Sequence, residues 1–140
     1  MKGRMKRLKI YTPFFIFLIL LSACGAGAPE PGLEGTAWEL VKLNEQLPLA
    51  DTTIMLTFDD GQAGGNSGCN SYGAAYEVDG DSLRLGELMS TMMYCRAEGV
   101  MDQETTYLLY LSQVRTYAII DGELYLSLAD GSQLEFIPQK

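Results

Sequence analysis

The sequence contains no histidine, one tryptophan and only three cysteines among its 140 residues. Without histidine, the usual Ser-His-Asp and Cys-His triads are excluded, and the commonest metal ligand is missing. Cys69 and Cys95 lie far apart rather than in a Cys-x-x-Cys pair, which argues against thiol redox catalysis. The longest apolar stretch, Ile10–Ala23, is shorter than the about 20 residues that a transmembrane helix needs.

Positive charge is also scarce, and half of it lies at the amino terminus. The chain has 10 lysines and arginines against 18 acids, and five of the cations precede Ile10. Every acid follows residue 24, so the chain after residue 23 carries a net charge of about −13. Because DNA and RNA binding require clustered Lys and Arg, we expect no nucleic-acid partner. Anionic lipid head groups would repel the domain for the same reason.

The amino-terminal segment predicts export. A cluster of cations followed by the mostly apolar stretch Ile10–Ala23 is typical of a secretory signal. The stretch ends in Leu21-Ser22-Ala23-Cys24, which resembles the lipobox of bacterial lipoprotein signals at all four positions. A plain signal peptide would not require a cysteine there. The resemblance implies cleavage before Cys24, a diacylglyceryl thioether on its sulfur and acylation of the new amino terminus.

We therefore expect three parts in the chain. Residues 1–23 form a lipoprotein signal peptide that is removed, residues 24–32 form the lipidated cysteine and a flexible Gly/Pro-rich tether, and residues 33–138 form one domain. Two or more acyl chains hold a protein stably on a membrane, so we expect an extracytoplasmic, lipid-anchored protein. Gly25 differs from the aspartate that resembles an inner-membrane retention signal, so an outer-membrane location is permitted where the organism has that membrane.

Export would place the two remaining cysteines in an oxidising compartment. Cys69 and Cys95 are then expected to form a disulfide, and with Cys24 acylated no thiol would be left over. The alternative is that both are free cysteines, buried as small hydrophobic side chains.

The domain is predicted to be mainly β, with an antiparallel meander. Strand patterns occupy Thr36–Val41, Ile54–Phe58, Tyr117–Ile120, Leu124–Leu128 and Gln133–Ile137. Four Asp-Gly dipeptides, at residues 60–61, 79–80, 121–122 and 130–131, predict type I′ hairpin turns with positive φ at both central residues. One amphipathic α-helix, at about residues 100–114, is expected to pack on the sheet. Asp102 and Glu104 would lie in its first turn and Arg115 near its end, as the helix dipole favours.

Several segments could be taken for sites of chemistry, and each has a simpler interpretation. The glycine-rich run Gly61–Asn70 lacks the Lys-Ser/Thr of a phosphate-binding loop, so a tight turn followed by a bulged strand is favoured. Asp79 and Asp81 could offer oxygens to calcium, but the further ligands of an EF-hand loop are missing. Paired carboxylates such as Asp59 and Asp60 are better explained as turn or surface residues. We predict no metal, no cofactor and no catalytic residue.

Large apolar residues at two places have a structural and a functional interpretation. Trp38, on the first predicted strand, is expected to anchor the core, and an exposed binding aromatic is the alternative. Met89, Met92 and Met93 cluster before Cys95. They are expected to fill the core beneath the helix, and an adaptable methionine-rich binding groove is the alternative.

The domain resembles the META domain family, also called HslJ-like, over nearly all of Leu33–Ile137. The matching elements, in order, are Leu33-x-Gly35-Thr36-x-Trp38-x-Leu40, Gly68-Cys69-Asn70-x-Tyr72, Leu88-x-Ser90-Thr91-x-Met93-x-Cys95 and Tyr107-Leu108 through Leu111-x-x-Val114. The resemblance implies a small, barrel-like, mainly β domain with one helix. It also agrees with pairing of Cys69 and Cys95, and it supplies no established catalytic residue.

The sequence thus predicts a lipid-anchored, non-enzymatic cell-envelope protein that binds another protein or a small ligand. A role in envelope maintenance or stress tolerance is implied by the family resemblance alone. One alternative is a small-ligand carrier that uses the barrel interior, which requires a cavity. Another is a carboxylate-dependent hydrolase, which requires two acids with divergent pKa values in a cleft.

Overall fold

The computed structural model describes residues 32–139, and within them the chain forms nine strands and one helix. In chain order the elements are β1 (Thr36–Leu43), β2 (Ile54–Asp59), β3 (Gln62–Ser67), β4 (Ser71–Asp79), β5 (Ser82–Leu85), β6 (Met89–Ser90), α1 (Val100–Ser112), β7 (Val114–Ile120), β8 (Glu123–Leu128) and β9 (Gln133–Pro138). The predicted signal peptide, Cys24 and all but the last residue of the predicted tether lie outside the described residues.

Eight of the strands form a closed antiparallel barrel. The neighbours run in the order β3-β2-β1-β9-β8-β7-β5-β4, and β3 pairs with β4 to close the ring. The short strand β6 pairs with β4 at Tyr72 and Gly73, beyond the part of β4 that pairs with β5. The prediction of a mainly β, barrel-like domain with one helix is confirmed. Closure pairs the strand edges that an open meander would leave exposed.

One hydrophobic core joins the barrel and the helix. Alternate residues of the strands are buried, as the period of two requires. The largest fully buried side chains are Tyr107, Phe58, Phe136, Ile54, Leu56, Leu83, Leu111, Leu124, Leu126, Leu134 and Val114. Tyr107 and Leu111 come from α1 and therefore fix the helix to the sheet. Trp38 belongs to the same core with 4% of its surface exposed, so its role as a core anchor is confirmed.

Two of the four predicted type I′ turns have the expected backbone. Both central residues have positive φ at Asp60-Gly61 (49° and 71°) and at Asp121-Gly122 (54° and 85°). In the other two Asp-Gly pairs only the glycine has positive φ. Asp79 still belongs to β4 and pairs with Ser82, so that turn is shifted by one residue along the chain. The prediction was therefore right about the hairpins and wrong about two of the turn types.

The helix ends earlier than its sequence pattern predicts. It covers Val100–Ser112, and the predicted carboxyl-terminal residues Val114 and Arg115 belong to β7. Val114 pairs with Leu128 of β8 and is 1% exposed. A buried β-branched residue fits both a helix face and a strand, and here pairing with β8 decides the outcome. Within residues 32–139 no helix has the length and apolarity needed to cross a bilayer.

The glycine-rich run forms a regular strand rather than a bulged one. Strand β3 pairs in continuous register with β2, from Ile54 opposite Ser67 to Asp59 opposite Gln62. Its glycines permit close approach of the flanking backbones: a Cβ on Gly65 would lie 2.0 Å from the carbonyl oxygen of Met55. The bulge prediction was wrong, whereas the expected close approach of the backbones is present.

Candidate functional site

Four of the ten large apolar side chains that are exposed among the described residues lie on one short segment. Met89, Met92, Met93 and Tyr94 expose 70%, 98%, 56% and 79% of their surfaces, and we call these four residues the methionine ridge. The prediction that the methionines fill the core beneath the helix was wrong. The core beneath α1 is instead filled by leucines of the barrel strands and by Tyr107 of α1 itself. The segment after β6 lies on the surface.

Asn70 holds the backbone of this segment in place from below. Its side-chain oxygen accepts hydrogen bonds from the backbone N–H of Met93 (2.7 Å) and from the hydroxyl of Thr91 (2.8 Å). Its amide nitrogen donates to the carbonyl of Met93 (3.1 Å) and to Glu104 (2.7 Å). The side chain therefore pairs with Met93 on both sides, as a neighbouring strand would. Since Asn70 is 2% exposed, these bonds are shielded from water.

Glu104 supports Asn70 from the helix. This carboxylate, 5% exposed, accepts hydrogen bonds from the Ser67 hydroxyl (2.6 Å) and from the backbone N–H and side-chain amide of Asn70 (2.7 Å each). Burial raises the pKa of Glu104, but the hydrogen bonds from Ser67 and Asn70 outweigh it and hold the pKa below its usual value. The group is therefore a buried anion with its oxygens satisfied, which positions Asn70.

The disulfide lies at the same place. Cys69 and Cys95 are bonded, with their Cα atoms 5.9 Å apart, so the predicted pairing is confirmed. The bond ties the residue before Asn70 to the residue after Tyr94. The backbone N–H of Cys95 also donates to the sulfur of Met101 in α1 at 3.5 Å. The ridge is thus held by a covalent bond at its end and by Asn70 near its centre.

A buried tyrosine pair connects the same region to the barrel wall. Tyr72 donates its hydroxyl proton to the carbonyl of Met55 (2.9 Å), so it accepts from Tyr107 across 2.6 Å. The rings meet edge to face with centroids 5.6 Å apart. Burial raises the pKa of both hydroxyls above the ordinary value, so both stay neutral. The pair satisfies polar groups inside the domain, with Tyr107 fully buried and Tyr72 7% exposed.

The rest of the domain surface carries open depressions. One depression, of about 500 Å³, is open to solvent and lies between the β4–β5 turn and β7; it is lined by Gly80, Asp81, Tyr117, Ala118, Ile119 and Ile120. Among residues 32–139 no three His, Cys, Asp or Glu side chains are grouped to hold a metal ion. Asp79 and Asp81, considered above for calcium, are exposed residues of the β4–β5 hairpin.

Comparison with known proteins identifies the domain. The family model described as META domain matches residues 31–140. This chain belongs to the META domain family. An NMR structure of a protein from Burkholderia xenovorans is similar at 28% identity and a TM-score of 0.66, covering 82% of this chain and 94% of that one. A second NMR structure, with 17% identity and a TM-score of 0.60 over 73% of this chain and 87% of that one, shares the fold. Among curated proteins none matches.

The residues that carried the predicted family resemblance lie in two groups. In the first, at the start of β1, Thr36 bonds the carbonyl of Leu33 and accepts from the indole N–H of Trp38 at 2.7 Å. Gly35 precedes them with φ of 75°, in the left-handed region that glycine favours. This group lies where the chain enters the domain, and its hydrogen bonds fix Trp38 in its buried position.

The second motif group surrounds the methionine ridge. Gly68, Asn70, Tyr72, Thr91 and Met93 come from two distant sequence segments, which the structure brings together at the disulfide. Gly68 has φ of 106° and its N–H donates to the Asn66 side chain at 2.8 Å. Its conformation turns the chain so that the next two residues reach Cys95 and Met93. This second group of predicted motif residues is therefore the one that positions the ridge.

Sequence reasoning missed Glu104. The sequence predicts Glu104 only as an anion in the first helical turn that the helix dipole favours, whereas its side chain is buried between the helix and the β3–β4 connection. The signal available in the sequence was spacing: Glu104 and Tyr107 lie three residues apart, on one helix face with the buried residues Val100 and Leu111. A charged residue on an apolar face indicates a paired, buried carboxylate.

Proposed function

We propose that this META-domain protein is a lipid-anchored, non-enzymatic component of the bacterial cell envelope that acts by binding a partner. The observation that carries the binding role is the methionine ridge, a rigidly held segment with four exposed large side chains. Exposed apolar patches on small domains mark interaction sites. The lipobox-like sequence ending at Cys24 supports the anchor. Envelope maintenance or stress tolerance remains the expected context, by family resemblance.

The carrier alternative finds no support in the barrel. Its interior is occupied by fully buried leucines and phenylalanines, and the depressions found among residues 32–139 are open to the surface. A bound small ligand would require a cavity lined by these side chains. The binding role therefore rests on the outer surface.

The hydrolase alternative requires a carboxyl with a raised pKa beside an ionised one. Hydrogen bonds from Tyr76 to Glu34 and from the Ser132 backbone to Asp130 lower the pKa of each carboxyl. The pKa of Glu104 is lowered as well. These three carboxyls are therefore suited to staying ionised rather than to donating a proton, and we do not favour hydrolysis.

The anchor is tested by replacing Cys24. In cells supplied with radiolabelled palmitate, Cys24→Ala should abolish labelling of the protein and release it from the membrane fraction, because the thioether acceptor is gone. The double variant Cys69→Ala/Cys95→Ala is the matched control: it removes the other two cysteines and should keep the label. Persistent labelling of Cys24→Ala would refute the lipoprotein proposal.

A further inference from the structure

The methionine ridge is a projecting surface rather than a groove. Met92 is 98% exposed, so its side chain makes almost no contact with its own chain. The adjacent depression, lined by Ser71, Tyr72, Met89, Ser90 and Thr91, is wide open to solvent. Small-molecule sites are concave, whereas this surface projects into solvent. A projecting side chain suits insertion into a pocket on another folded protein.

The ridge is also pre-organised. Its backbone is fixed by the Thr91 N–H bonded to the Ser71 carbonyl (3.0 Å), by the two bonds between Met93 and Asn70, and by the disulfide at Cys95. A partner therefore does not have to order this segment on binding, which removes one of the main costs of association. Methionine side chains remain adaptable within that fixed frame.

Charge limits what can occupy the surface. Residues 32–139 contain four cations and 17 acids. A second copy of this chain would bring the same negative charge, and an anionic membrane surface would repel the domain as well. The ridge segment itself is flanked by Glu87 and Glu98, with Arg96 as its one cation. A partner with positive charge around an apolar pocket is complementary to this pattern.

We propose that the methionine ridge docks a folded protein that receives Met92 in an apolar pocket with a rim of Lys and Arg. This inference rests on the proposed binding function and gives it a location and a class of partner. Met92 supplies the inserted anchor, and Met89, Met93 and Tyr94 surround it. The acidic surface of the domain accelerates encounter with the basic rim, so binding weakens as salt concentration rises.

The test is photo-crosslinking of the full-length protein in its own cells. A photoreactive amino acid replaces Met92 in one strain and, as the matched control, Ile120 in another. Ile120 is also well exposed, at 54%, and lies in the depression with Gly80, at the opposite end of β4 from β6. We expect one discrete protein adduct from position 92 and none of that mass from position 120. Mass spectrometry then identifies the adduct.

The identified protein is next purified and titrated with the wild-type domain and with variants. Met92→Asn should weaken binding at least tenfold, Ile120→Asn should leave it within twofold, and higher salt should weaken the wild-type complex. Because Met92 is almost fully exposed, its replacement does not disturb the fold. Met92→Asn binding as tightly as the wild-type domain would overturn the inference, and so would binding that does not respond to salt.

Other crosslinking outcomes are equally decisive. An adduct with lipid, an adduct with a second copy of this chain, the same adduct from both positions, or no adduct at position 92 would each overturn the docking surface. If palmitate labelling at Cys24 is retained alongside any of these results, the proposal of a lipid-anchored envelope protein stands and the proposal of a docking surface at the methionine ridge fails. If the palmitate label and the discrete adduct at position 92 are both absent, the lipid anchor and the docking surface are both rejected.

Discussion

Asn70 and Glu104 connect the helix to the exposed surface through a short chain of hydrogen bonds. Glu104 orients the Asn70 amide, and the amide in turn pairs with the backbone of Met93. Each polar atom in this chain has a partner, so loss of one member leaves others buried without one. Residues whose side chains never reach the surface therefore determine how the methionine ridge is presented.

Replacing Asn70 should be more damaging than its size implies. Asn70→Ala removes the partners of Met93, of Thr91 and of one Glu104 oxygen, so we expect the free energy of unfolding to fall by about 3 kcal/mol. Thr91→Val removes one bond to Asn70 and the exposed bond that the Ser71 N–H donates to the Thr91 hydroxyl, and it should cost about 1 kcal/mol. Urea denaturation measures both changes, and equal losses for the two variants would contradict the central role of Asn70.

Glu104 should make the stability depend on pH. Its folded-state pKa is lowered from the ordinary 4.5, so its ionisation stabilises the fold above that value, and the contribution is lost as the pH falls through the folded-state pKa. Glu104→Gln should therefore cost about 3 kcal/mol at pH 7 and progressively less below pH of about 4. The exposed Glu98→Gln is the control, with little change expected at pH 7. Urea denaturation across the pH range provides the measurement, and a cost for Glu104→Gln that is constant with pH would contradict the assignment.

At the scale of elements, β3 depends on glycine for its position between two neighbours. Strand β2 approaches Gly65 on one side, and the β4 backbone approaches Gly64 on the other. Side chains at these points would separate the strands that close the barrel. The composition of this segment, which superficially suggests a phosphate-binding loop, therefore serves strand packing.

Gly65 and Gly73 provide a matched test of this explanation. A Cβ on Gly65 would overlap the Met55 carbonyl, at 2.0 Å, whereas a Cβ on Gly73 would meet only the Ala63 carbonyl, at 3.8 Å. Gly65→Ala should lower the free energy of unfolding by about 3 kcal/mol or more, because β2 and β3 must separate. Gly73→Ala should change it by less than about 1 kcal/mol. Thermal or urea denaturation of the two variants distinguishes them, and comparable losses would refute the close-approach argument.

At the scale of the whole molecule, the barrel provides a rigid support and the disulfide fastens the ridge to it. The chain between Cys69 and Cys95 includes β4, β5 and β6, so the bond closes a loop that contains much of one barrel wall. A small domain with a modest core gains appreciable stability from such a cross-link.

Removal of the disulfide should therefore lower the stability of the domain measurably without abolishing its fold. Cys69→Ser/Cys95→Ser should lower the free energy of unfolding by about 3 kcal/mol, because the unfolded chain regains its loop entropy. The wild-type domain treated with a reductant should match the variant. Asn70 still pairs with Met93 in both, so near-native circular dichroism is expected. If the variant has the same free energy of unfolding as the oxidised wild-type protein, the disulfide does not restrict the unfolded chain.

The sequence by itself determined five of the nine strands, the hairpins and the helix, because these follow from local periodicity and Asp-Gly turns, and it favoured the pairing of Cys69 and Cys95. The position of Trp38 in the core was likewise predicted from its place on the first strand. Tertiary structure decided the rest. Val114 joined a strand because β8 lies beside it, the methionines became exposed because the barrel filled its own core, and Glu104 became buried because α1 packs over Ser67 and Asn70. Each of these outcomes depends on contacts between segments distant in sequence, which no local pattern contains.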